Sequence, residues 1–178
     1  MKKILLIVAA TLFIASCSKK GEETNNQAQQ QTQTSSTSDY QKTDFYFKLP
    51  DKDGGEIDLA NFKGKPVMVM FFTENCPYCR KAAPFIQSVY EKYKSKGIEV
   101  IGISVKDSKE SPIEFQKATG ISFHLVYNGR ETAKRYGISG VPFMYLLDKN
   151  HNLNKVWAGY DPEYDNSIKE AVEKITTK

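Results

Sequence analysis

Cys76 and Cys79 are separated by Pro77 and Tyr78. Thiols at that spacing can meet across one helical turn and make or break a disulfide. The attacking species in such chemistry is the thiolate, whose abundance depends on the surroundings of the sulfur. Before the pair, Val67-Met68-Val69-Met70-Phe71-Phe72 is an unbroken apolar run between Pro66 and Thr73-Glu74-Asn75. It predicts a buried strand. After the pair, Ala82, Phe85, Ile86, Val89, Tyr90 and Tyr93 recur at spacings of three and four, which predicts a helix. The cysteines therefore stand where a strand turns into a helix. A helix start carries unpaired N–H groups and a partial positive charge, and both favour thiolate over thiol. Strand, C-x-x-C and helix in that order suit thiol–disulfide exchange.

The third cysteine is Cys17. Ahead of it, Lys2-Lys3 form a basic start, Ile4 to Ile14 an apolar stretch and Ala15-Ser16 a small-residue cleavage site. This pattern predicts a secretory signal over residues 1–16, too short to span a bilayer comfortably. Ile14-Ala15-Ser16-Cys17 resembles a bacterial lipobox, which implies that Cys17 is lipidated and begins the mature chain. Ser18 to Ser38 is dense in Gln, Thr, Ser and Asn and holds too few apolar residues to fold. Residues 17–39 are thus expected to be a lipidated cysteine with a flexible tether, and 40–178 the folded domain. With Cys17 set aside, one cysteine pair remains in an exported domain. A four-residue loop stabilises a fold little, so that pair is expected to be catalytic rather than structural.

The 178 residues are 40% hydrophobic, enough for one core plus extra segments. The formal charge of +4 comes from 25 basic and 21 acidic residues, interleaved after Asp39. That excludes the basic stripe of a nucleic-acid binder, and no charge-driven partner follows from it. Along the domain, Phe45, Phe47 and Leu49 alternate as a strand, Asp51 to Gly55 form a turn, and Glu56 to Leu59 pair back as a hairpin. Gly97 is a helix stop, and Ile98 to Val105 a strand. Ser111-Pro112-Ile113-Glu114 reads as a capping box opening a helix to about Thr119. Phe123 to Val126 is a short strand and Glu131 to Tyr136 a short helix. Phe143 to Leu147 and Leu153 to Ala158 are paired strands around a turn at Asp148 to His151. Asp161-Pro162 starts a last helix with Ile168, Ala171, Val172 and Ile175 on its buried stripe. The alternation predicts an α/β domain whose closing hairpin makes the central sheet mixed, with helices around it.

The order Phe47-x-Leu49-x-Asp51-x-x-Gly54, Lys63-Gly64-Lys65, apolar strand, C-x-x-C and Gly140-Val141-Pro142 resembles the thioredoxin superfamily. Within it, the chain is similar to the extracytoplasmic TlpA/ResA-like thiol–disulfide oxidoreductases, over about Tyr40 to Ile175. The resemblance implies a thioredoxin-like fold with an N-terminal β-hairpin. It implies that Cys76 is the exposed nucleophile and Cys79 the buried resolving thiol. It also implies that Pro142 is a cis-proline which, with Val141 and Tyr78, faces substrate. Three positions depart from relatives. Met70 replaces the buried acid of thioredoxin, Asn75 the tryptophan before the first cysteine, and Ala82 the glutamate of members specialised for apocytochrome c.

Two other functions fit parts of the pattern. Thr73-Glu74-Asn75-Cys76 matches the T-x-x-C of thiol peroxidases, but Val69 stands where that family has proline. A non-catalytic metal-binding lipoprotein of the same fold is the other. A structural zinc site needs four ligands, and neither His124 nor His151 has ligand spacing to the cysteines. No cofactor or metal is expected. Tethered, single-domain relatives are mostly reductants. The expected partners are protein disulfide or thiol substrates and a membrane electron donor, with the chain a lipid-anchored monomer on the extracytoplasmic side of a bacterial membrane.

Overall fold

A computed structural model describes residues 40–177. The expected signal segment, Cys17 and the polar stretch to residue 39 lie outside the described residues. The described chain opens with an antiparallel hairpin, β1 (Lys48–Pro50) and β2 (Glu56–Asp58). A 3-10 turn over Leu59–Phe62 leads to β3 (Val67–Phe72) and α1 (Pro77–Tyr93). Next come β4 (Glu99–Ser104), α2 (Glu110–Thr119), β5 (His124–Val126) and α3 (Arg130–Arg135). β6 (Phe143–Leu147), β7 (Leu153–Ala158) and α4 (Tyr164–Thr176) complete the domain.

Five strands form one mixed sheet in the order β5-β4-β3-β6-β7. β3 pairs with β4 in parallel and with β6 antiparallel, so it lies at the centre. Strand side chains alternate between faces. Met68, Met70 and Phe72 enter a core with Ile86 of α1, Phe115 of α2 and Ile168 of α4. Val67, Val69 and Phe71 enter the opposite core with Phe47 and Leu49 of the hairpin strand and its approach, and with Ala133 of α3. Both faces are covered, which is why β3 reads as an unbroken apolar run.

The hairpin also closes an edge. The Lys52 N–H donates to the Leu125 carbonyl at 3.2 Å, and the Tyr127 N–H to that of Pro50 at 3.1 Å. These bonds occupy backbone groups that β5 would otherwise present to solvent.

Three local expectations need correction. β1 begins at Lys48 rather than near Phe45. Phe45 and Tyr46 instead approach through side-chain-held backbone: Tyr136 Oη donates to the Phe45 carbonyl at 2.5 Å and Arg135 to that of Tyr46 at 2.9 Å. α2 begins at Glu110, so Ser111 lies inside it and caps nothing. α4 begins at Tyr164, because Asp161 Oδ1 accepts from the Glu163 N–H at 2.9 Å and holds Asp161–Glu163 in a turn.

Candidate active site

β3 ends at Phe72 and a tight turn follows, closed by the Cys76 N–H on the Thr73 carbonyl at 3.2 Å. Cys76 has extended backbone and is the N-cap of α1, with Pro77 at the first helical position. Proline suits that position because its missing N–H would have had no helical partner. The residue doing the capping is the cysteine itself: the Cys79 N–H donates to Cys76 Sγ at 3.1 Å. Cys76 and Cys79 form a disulfide with Cα atoms 5.2 Å apart. Cys79 is fully buried among Ala82, Ala83 and Met70, whereas Cys76 is half-buried. An external sulfur thus has access to Cys76 and not to Cys79.

The loop before β6 faces the pair. Val141–Pro142 is a cis peptide, and Cys76 Sγ lies 3.5 Å from the Val141 carbonyl oxygen. Tyr78 projects outward, 59% exposed, with Lys81 Nζ 5.5 Å from its ring centroid. A cleft of about 280 Å³ opens beside the cis-proline, lined by Tyr78, Val141, Pro142, Gly159, Tyr160 and Tyr164. The structure therefore brings together Cys76, Cys79, Tyr78, Val141 and Pro142. Cys17 is outside the described residues. Trp157 is buried, with Nε1 donating to Ser167 Oγ at 2.8 Å.

Arg80 Nε donates to the Glu74 carbonyl at 2.8 Å, tying the first helical turn to the turn before it. Glu74 is a residue the sequence did not single out. Its Oε2 accepts from Ser111 Oγ at 2.5 Å, and Ser111 Oγ lies 2.7 Å from Ser104 Oγ. Bonding from Ser111 holds the Glu74 carboxyl below the usual carboxylate range; partial burial opposes this, and Lys106 and Arg80 assist. An acid two residues before a cysteine was the only available signal, and Ser111 reads more naturally as a cap. Among the described residues no group of three or more His, Cys, Asp or Glu side chains is placed to hold a metal ion.

A mixed sheet of this order, carrying a dithiol at the start of its central helix against a cis-proline loop, defines a thioredoxin-like thiol–disulfide oxidoreductase. The AhpC/TSA family matches residues 26–168, and the chain belongs to that family. It is 32% identical over 114 residues to the thiol-disulfide oxidoreductase ResA of Bacillus subtilis, covering 64% of each chain. It is 37% identical over 127 residues to the chloroplastic peroxiredoxin Q of Sedum lineare, covering 66% of this chain and 68% of that one. Among solved structures it matches a thiol:disulfide interchange protein of the thioredoxin family from Chlorobium tepidum. That match has a TM-score of 0.65 at 24% identity and covers 74% of this chain and 93% of the other; it speaks to the fold. No helix among the described residues is long and apolar enough to cross a membrane.

Proposed function

We propose that this protein is a membrane-tethered, extracytoplasmic thiol–disulfide oxidoreductase that reduces protein disulfides through Cys76 and Cys79. The observation that carries the reading is the unequal pair at the helix start. Cys76 is accessible and accepts the Cys79 N–H, while Cys79 is buried behind it. Cys76 is the nucleophile and Cys79 the resolving thiol. The Cys76 thiolate attacks one sulfur of a substrate disulfide, and the other sulfur leaves as a thiolate. Cys79, once deprotonated, attacks Cys76 Sγ. The substrate sulfur that had bonded to Cys76 in the mixed disulfide leaves as a thiolate, and the Cys76–Cys79 disulfide remains. Two electrons from a membrane donor restore the dithiol.

Substrate backbone lies along Val141 and Pro142, and Tyr78 packs on a flanking side chain. The shared cleft, with Tyr160 and Tyr164 as its far wall, supports this placement. Residues 1–16 are the signal, Cys17 carries lipid, and 17–39 form the tether from which the domain, a monomer, reaches its substrates. Cys17→Ala should move the protein from the membrane to the soluble fraction; retention in the membrane would end the lipoprotein reading.

Direction is set by potential relative to partners. A pair with no buried acid near Cys79 is expected between about −250 and −180 mV. A value near that of strong oxidants, about −120 mV, would overturn the reductant assignment. The similarity to a peroxiredoxin favours one second reading, a thiol peroxidase using the same Cys76. Peroxide consumption by the reduced chain, measured beside disulfide reduction, separates the two. The oxidoreductase reading expects disulfide reduction to be much the faster.

A further inference from the structure

Three side chains outside the cysteine pair form a directed chain of hydrogen bonds that ends beside it. Ser104 is the last residue of β4 and is fully buried; Ser111, in the first turn of α2, is 4% exposed. The Lys106 N–H donates to Ser104 Oγ at 3.1 Å. Ser104 and Ser111 hydroxyls are 2.7 Å apart, and Ser111 reaches Glu74 Oε2 at 2.5 Å. Each hydroxyl has one proton to place. Ser104 can give its proton to Ser111, and Ser111 its own to Glu74. An acceptor at Glu74 satisfies both buried hydroxyls. A charged carboxylate is the stronger acceptor for the Ser111 hydroxyl, so this bond favours the ionised form of Glu74. The arrangement therefore keeps residue 74 ionised. Its charged neighbours act in the same direction: Lys106, beyond β4, and Arg80, in the first turn of α1, both favour the carboxylate.

The anchored residue belongs to the turn that carries the nucleophile. Glu74 and Asn75 are the corner between Thr73 and Cys76, whose bond closes the turn at 3.2 Å. The Glu74 carbonyl is held by Arg80 Nε, and Asn75 Nδ2 donates to Glu74 Oε1 at 3.3 Å. The corner is thus fixed from three sides, by β4 and α2 through the serines, by α1 through Arg80, and by its own neighbour.

We propose that Glu74 is a positioning residue of the thiol–disulfide reaction: it locks the turn that presents Cys76 and holds a permanent negative charge against thiolate formation there. The charge opposes the helix N-terminus. It offsets part of the acidity that the α1 start gives to Cys76, and so biases the pair toward giving electrons rather than taking them. Thioredoxin's buried acid has no counterpart at Met70; in this chain the carboxylate of Glu74, in the turn just before the nucleophile, supplies the opposing charge. The inference rests on the oxidoreductase reading and adds what tunes its direction.

Glu74→Gln is the direct test, because a glutamine oxygen still accepts from Ser111 and only the charge is lost. In the full-length reduced chain, the Cys76 thiolate midpoint, read by ultraviolet absorbance, should fall by about half a pH unit. The equilibrium against a glutathione couple should move about threefold toward the dithiol. Thermal unfolding should be little changed. Glu74→Asp keeps the charge but withdraws it from Ser111, so its midpoint should stay near wild type while its unfolding temperature drops. A Glu74→Gln midpoint that is unchanged or higher overturns the proposal, as does an identical fall in both variants. Loss of all disulfide exchange in the wild-type chain would instead refute the oxidoreductase reading, a separate outcome.

Discussion

At the scale of single residues, the two cysteines differ in access and the rest of the site follows from that difference. Cys79 is enclosed by α1 and β3, so only a sulfur already bonded to Cys76 lies within its reach. Two variants should therefore part company. Cys79→Ser should accumulate mixed disulfides with substrates, visible as reducible adducts by mass spectrometry. Cys76→Ser should trap almost none. Equal trapping by both would reverse or erase the assigned roles. Met70 is fully buried in the same apolar cluster as Cys79. An aspartate there would sit in apolar surroundings and destabilise the domain by about 2–3 kcal/mol. It would also place a carboxylate in the apolar cluster around Cys79, where it can accept the Cys79 proton. Met70→Asp is expected to raise the Cys76 thiolate midpoint and to speed resolution of mixed disulfides, measured by stopped-flow release of a thiol leaving group. Slower resolution would show that Cys79 already has a proton acceptor.

At the scale of elements, the C-terminal end of β4 is where the site's supports converge. The Gly129 N–H donates to the Ser104 carbonyl at 2.9 Å, and a Cβ added at Gly129 would meet Ile103 Cγ2 at 2.2 Å and that carbonyl oxygen at 2.7 Å. The oxygen belongs to a central strand and cannot move aside, so Gly129→Ala should cost about 1–3 kcal/mol in urea denaturation. A neutral result would mean that the start of α3 shifts freely against β4. The strands and helices themselves were legible, because buried strands and amphipathic helices write their periods in apolar residues. β3, α1 and the β6–β7 hairpin fall where the pattern of the chain places them. What failed to show was the work of polar side chains. Ser111, at the head of an S-x-x-E motif before a helix, signals a cap, yet its hydroxyl points across to Glu74, some forty residues earlier in the chain. His151 reads as a turn residue and is indeed in a turn, but it is fully buried at φ 61°. A local window cannot report a partner from a distant segment, and both residues take theirs from one.

At the scale of the whole domain, His151 joins the first described residues to the end of the sheet remote from the cysteines. Tyr40 Oη lies 2.7 Å from Nδ1, Thr43 Oγ1 donates to the His151 carbonyl at 2.9 Å, and Nε2 lies 3.2 Å from the Phe62 carbonyl oxygen. A neutral ring with its proton on Nε2 suits both neighbours, donating to Phe62 and accepting from Tyr40. Burial, with the Asp58 carboxylate assisting, raises the Tyr40 hydroxyl to about 12, so it remains a donor throughout the physiological range. Burial likewise holds the His151 imidazole below the usual histidine range, against the opposing pull of the Phe62 and Lys65 carbonyls and of Asp148. The sign of the linkage follows. The unfolded chain takes up a proton at this residue near pH 6.5, before the folded chain does. The stability His151 contributes is complete above that pH and is lost as the pH falls toward the folded value. The thermal midpoint of the full-length chain should accordingly decline between about pH 7 and pH 5. His151→Asn tolerates the positive φ and has no titrating ring, so the decline over that interval should be shallower than in wild type. Tyr40→Phe leaves Nδ1 without its donor and should lower stability by about 1 kcal/mol at neutral pH. It should also narrow the gap between neutral and acid midpoints, because the neutral ring then has less to lose. Parallel pH profiles for wild type and His151→Asn would show that the carboxylates alone set the acid limit and that the histidine is a spectator.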